Sequence, residues 1–79
     1  MIVFFANSYA RYRHFMEEHP IVNNQSICKF IRGDYDTIGY QISTIVFLTA
    51  PYDLPRQVMG AYHRCIDRQD FRPMTIHLY

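Results

Sequence analysis

Seventy-nine residues make one small domain. A chain of this size buries only about 60–65% of the surface its unfolded form exposes, so a second stabiliser is expected. With 49% apolar residues, seven Tyr and six Phe, the composition excludes disorder. A formal charge of +1 excludes a general attraction to nucleic acid or membrane.

Cys28 and Cys65 are the only cysteines and lie far apart, which leaves room for one disulfide but excludes a disulfide framework. Both read as reduced, buried small hydrophobes of a cytoplasmic protein. Self-association, most simply a homodimer, is then the expected stabiliser. The start, Met1-Ile2-Val3-Phe4-Phe5, has no basic residue before its apolar run, and Asn7-Ser8 cuts that run short. This is not a signal-peptide pattern. No apolar stretch approaches the roughly 20 residues that span a bilayer.

Ile2 to Ala6 is an uninterrupted apolar run, which predicts a strand covered on both faces. Asn7 or Ser8 should cap a helix over Ser8–His19, with Tyr12, Phe15, Met16 and His19 on one face. Pro20 ends it. Asn23 to Ser26 is a polar connector. Ile27 to Ile31, broken by Lys29, predicts an edge strand. Gly33 to Ile42 reads as a loop or irregular turn. Thr44 to Ala50 is the central strand, β-branched and apolar without interruption. Pro51 ends it, and Asp53 followed by Pro55 predicts the start of a helix over Leu54–Gln69. Val58, Met59, Tyr62, Cys65, Ile66 and Gln69 fall on that helix's apolar stripe. Met74 to Tyr79 alternates, as an exposed edge strand does. The core should contain Val3, Phe5, Phe15, Ile45, Phe47, Val58, Tyr62 and Ile66.

The order strand, helix, strand, strand, helix, strand fits two α/β architectures. One is a miniature Rossmann-like four-stranded sheet, order 2-1-3-4, with one helix on each face. The other is a ferredoxin-like α+β antiparallel sheet. The two double-faced apolar strands favour the first.

A Rossmann-like sheet places a crevice outside the carboxyl ends of its two central strands. Asn7, Ser8 and Tyr9 from the first strand, and Thr49, Tyr52 and Asp53 from the third, would line it. Two helix N-termini there would suit an anion. Neither turn carries Gly-x-Gly-x-x-Gly or a Gly-Lys-Ser/Thr phosphate loop, so nucleotide hydrolysis is not expected. His14 and His19 fall about 140° apart around a helix, and no Cys-x-x-Cys accompanies them, so no metal site is expected. No catalytic set or cofactor site is legible. Arg32-Gly33-Asp34 matches an integrin-type tripeptide by letters only.

Seven of the eight basic residues are Arg, and Arg and Tyr recur at binding hot spots. Arg56, Arg64 and Arg68 on the second helix, with Tyr35 and Tyr40 on the Gly33–Ile42 loop, are the candidate partner contacts. Arg11, Arg13 and Arg72 join these three arginines as the candidates for nucleic-acid contact. Glu17, Glu18, Asp67 and Asp70 sit among these arginines and cancel the charge that nucleic-acid binding needs.

Ile2–Ser8, a helix, Phe30-Ile31-Arg32-Gly33 with Tyr35-Asp36, and Thr44–Ala50 together resemble the core of P-loop-type proteins. Small phage-encoded accessory proteins look like such stripped-down cores. The phosphate loop and the acidic strand end of that family are missing here, so no activity carries over. What the resemblance implies is a compact accessory protein that blocks a host enzyme or defence complex, as an anti-CRISPR does. The leading expectation is therefore a non-catalytic protein-binding module. The alternative is a small nucleotide- or anion-binding enzyme subunit using Asn7, Ser8, Thr49, Tyr52 and Asp53.

Overall fold

The two apolar runs form adjacent strands, β1 (Ile2–Phe5) and β3 (Thr44–Phe47), at the middle of a four-stranded sheet. The computed structural model describes residues 1–19, 27–66 and 74–79. β2 (Cys28–Phe30) pairs with the outer side of β1, and β4 (Met74–His77) with the outer side of β3. The three pairings are all parallel, in registers Ile2↔Cys28, Ile2↔Thr44 and Thr44↔Met74. An antiparallel, ferredoxin-like sheet is therefore not what forms. The fold is mixed α/β, with helices α1 (Tyr9–Glu18) and α2 (Met59–Ile66).

Unbroken apolar strands are explained by cover on both faces. Phe4, Ala6, Val46 and Leu48 point to one side, where Met16, Tyr12 and Phe15 of α1 meet them. Val3, Phe5, Ile45 and Phe47 point to the other, against Val58, Ala61 and Cys65. Cys28 and Cys65 thus lie on opposite faces and do not meet. The β2–β3 connection is a run of turns, as expected, whose ends add Ile31 and Ile42 to the core on the α2 side, so it lies as a strap across that face. Its tight turn uses Gly39 at φ +84°, a conformation that glycine adopts without a Cβ penalty.

Ser8 caps α1, its Oγ accepting the Arg11 N–H at 3.2 Å. The helix carries surface pairs Arg13–Glu17 and His14–Glu18, and His19 stacks on Phe15 at its end. The expected second helix starts later than the sequence suggests. Pro51–Asp53 and Arg56–Val58 form two separate 3-10 turns. Leu54 and Pro55 between them are extended (ψ 146° and 147°); Leu54 precedes a proline, which pushes it out of the helical region.

Two of the expected core positions differ in degree. Phe15 and Tyr62 are half-buried, packed at the margins of the two clusters. Ile66 is 50% exposed. Val58, Ala61 and Cys65 take the sheet-facing line, and Ile66 lies about 100° around the helix from Cys65. The part of the expected helix beyond Ile66, with Arg68 and Gln69, lies outside the described residues.

Candidate functional site

The described surface offers two places where polar and aromatic side chains converge. One is a cleft of about 300 Å³ at the carboxyl ends of β1 and β2. The other is the strap between β2 and β3 where it lies against α2.

The cleft begins where β1 runs out. Ala6, Asn7, Ser8 and Tyr9 form one wall, the β2 end Phe30–Arg32 another, and Pro55, Gln57 and Val58 a third. Two later ladder bonds hold these ends in place: Ile31 N–H to Phe4 O (3.1 Å) and Leu48 N–H to Phe5 O (2.9 Å). Tyr9, Tyr12 and Phe30 pack as an aromatic trio, with centroids 5.0–5.9 Å apart. Burial, then the neighbouring Cys28 thiol and Tyr9 phenol, push the Tyr12 hydroxyl above its ordinary pKa. The Arg32 guanidinium lies over this shelf, 4.5 Å from the Tyr9 centroid and 5.9 Å from that of Phe30. Asp36 turns its carboxylate to the backbone instead, where Oδ2 accepts the N–H groups of Arg32 (2.6 Å) and Gly33 (3.0 Å).

The structure divides the crevice residues expected from the sequence. Asn7, Ser8 and Tyr9 line the cleft, whereas Thr49, Tyr52 and Asp53 do not. Thr49 is buried and its Oγ1 accepts the Asn7 N–H at 3.0 Å, which closes the gap between the ends of β1 and β3. Tyr52 is 86% exposed, and Asp53 sits in a 3-10 turn with its side chain outside. The opening has moved to the β1–β2 side, and Arg32 is the residue the sequence reading passed over. Its signal was present: a cation directly after a strand end, one position beyond Phe30–Ile31. Among the described residues no carboxylate, histidine or cysteine lines the cleft; its walls supply amide and hydroxyl hydrogen bonds, the Tyr9 phenol and the Arg32 charge.

Comparison of the chain with protein-family models, curated proteins and solved structures finds no match. The site must be read from its own chemistry.

The second place is built on Asp34. Its Oδ1 accepts the Gly60 N–H at 2.9 Å, so a loop carboxylate caps the first turn of α2 from 26 residues away. This is the role that Asp53 was expected to play. The contact needs a glycine: a Cβ at position 60 would stand 2.8 Å from Asp34 Cγ. Arg64, one turn further along α2, donates to the Asp34 carbonyl and lays its guanidinium 5.2 Å from the Tyr35 ring centroid. The Arg-Gly-Asp tripeptide is accounted for here, with Arg32 on the aromatic shelf and Asp34 on the helix.

Of the expected partner contacts, the structure brings Tyr35 and Arg64 together. Tyr40 lies apart from them, under the Lys29 ammonium of β2 at 4.9 Å. Arg56 is exposed in its 3-10 turn, and Arg68 lies outside the described residues. Among the described residues no group of three His, Cys, Asp or Glu side chains gathers. None of the described helices is long and apolar enough to cross a membrane.

Proposed function

We propose that this protein is a non-catalytic binding module that inhibits or adapts another macromolecule in the cytoplasm. A phage-type inhibitor of a host enzyme or defence complex is the form this takes. The scaffold is read as a miniature Rossmann-like β-α-β-β-α-β unit, a reading supported by the 2-1-3-4 order and the parallel pairings. The observation that carries the function is the Tyr35–Arg64 pair.

Tyr35 is 75% exposed, yet it is not on a loose loop. Asp36 closes the turn beneath it, Asp34 docks the strap on α2, and buried Thr37 anchors the next position. Tyr and Arg are the side chains that contribute most at interfaces, and fixing them beforehand lowers the ordering cost of association. Ile38 lies exposed beside them and adds apolar area. The alternative, a nucleotide- or anion-binding enzyme subunit, has binding groups in the cleft but, among the described residues, no carboxylate, histidine or cysteine on its walls.

The test is capture of a partner from a lysate of the natural host cell, followed by titration of the purified partner. Tyr35→Ala and Arg64→Glu should each weaken the complex by about tenfold or more, the size of a hot-spot truncation. Tyr35→Ala should leave the melting temperature unchanged. Wild-type affinity in the Tyr35→Ala/Arg64→Glu double variant would end this reading. Light scattering should show a species of about twice the 9.5 kDa chain mass if self-association supplies the extra stability.

A further inference from the structure

We propose that the cleft at the ends of β1 and β2 is a receptor for a small organic oxyanion, with Arg32 as the group that takes the charge. The inference is independent of the Tyr35–Arg64 surface and adds a ligand site to it.

Among the described residues the side-chain pairs Arg13–Glu17 and His14–Glu18 do not involve Arg32. The Asp36 carboxylate accepts the backbone N–H groups of Arg32 and Gly33 through Oδ2. A guanidinium stacked on an aromatic ring has its face occupied, but the N–H groups in its plane remain directed outward. That edge matches the two oxygens of a carboxylate or phosphate. Tyr9 and Phe30 hold the guanidinium beside the cleft without neutralising it, since an aromatic ring carries no net charge.

The space beside it is of the right kind. About 300 Å³ exceeds what a lone inorganic ion fills and lies at the lower end of small-molecule sites. Pro55, Val58 and Ile31 give an apolar wall for the body of a ligand. Asn7 and Gln57 are exposed amides at the same opening, able to donate or accept. A compact molecule with an apolar ring and one oxyanion satisfies both halves of the lining, and carboxylate and phosphate share the chemistry Arg32 recognises.

The test uses phenyl phosphate and benzoate as ring-bearing probes, inorganic phosphate as the bare ion, and benzyl alcohol as the neutral ring. Each is titrated into the full chain, with shifts of the Asn7, Arg32 and Gly33 amide resonances as the readout. We expect one or both ring-bearing anions to bind at least about tenfold more tightly than benzyl alcohol and than inorganic phosphate. The better of the two identifies the oxyanion. Arg32→Gln should weaken that probe about tenfold or more, and Arg32→Lys should recover only part of the loss because an ammonium cannot form the fork. Arg13→Gln, which removes an equal charge from the exposed face of α1, should leave binding unchanged. Equal binding of benzyl alcohol, equal loss with Arg13→Gln, or undiminished binding by a folded Arg32→Gln protein would each overturn the assignment.

Discussion

Phe47→Ala should abolish cooperative folding. Phe47 is where four elements meet: it stacks on Phe5 of β1 (5.4 Å) and on His77 of β4 (5.2 Å), and meets Tyr62 of α2 edge-on (5.6 Å). Removing a buried aromatic ring costs about 3–5 kcal/mol, from lost transfer energy and from the cavity that remains. Small domains have only several kcal/mol in total, so the loss is of the order of the whole. The expected result is a non-cooperative melt and collapsed dispersion in the amide NMR spectrum. Phe47→Leu, which retains most of the volume, should keep a cooperative transition at a lower midpoint. A Phe47→Ala protein melting cooperatively near the wild-type temperature would show that these ring contacts do not hold the sheet to α2.

At Gly60 the sign of one substitution should depend on a residue in another part of the chain. Glycine inside a helix is ordinarily about 1 kcal/mol worse than alanine. Here Gly60→Ala should instead destabilise, because the new methyl group displaces the Asp34 carboxylate, which would lie 2.8–3.1 Å away. That removes the cap on the Gly60 N–H and loosens the strap, an effect of about 1–2 kcal/mol. Asp34→Ala should cost a similar amount for the same reason. In the Asp34→Ala background the obstruction is gone, so Gly60→Ala should become stabilising by about 0.5–1 kcal/mol. Thermal or urea unfolding of the four proteins measures the cycle. Additive effects would mean that Asp34 and Gly60 are not coupled.

The contrast between Phe47 and Gly60 explains what a single sequence discloses. Phe47 sits in a continuous apolar strand, and such a run announces burial on both sides whatever the rest of the chain does. The same logic gives Val3, Phe5 and Ile45, and local signals give the cap at Ser8 and the edge placement of β2. The alternation expected of β4 is not seen: Met74 and Leu78 are exposed and only Ile76 is partly covered. Asp34 and Gly60 carry no such local mark. Their meaning arises from a contact across 26 positions, and glycine next to Met59 reads locally as a weak point in a helix. Asp53 erred in the opposite direction: Asp before a proline looks like a cap, but the extended Leu54–Pro55 segment holds it away from α2. The cleft moved for a related reason. A buried threonine hydroxyl joined Asn7 to Thr49, and a side chain that seals a gap has the same letters as one that lines it.

The strictly parallel sheet has a kinetic consequence. Paired residues in the three ladders are 26, 42 and 30 positions apart, so no two neighbouring strands are joined by a short turn. A hairpin can close from its turn like a zip, but here each ladder must first close a long loop and lose its entropy. Proteins dominated by such distant contacts fold in milliseconds to seconds, whereas small helical domains can finish in microseconds. During that interval the apolar strands β1 and β3 have no cover. A short chain of this design is therefore more exposed to aggregation while it folds than its size alone suggests.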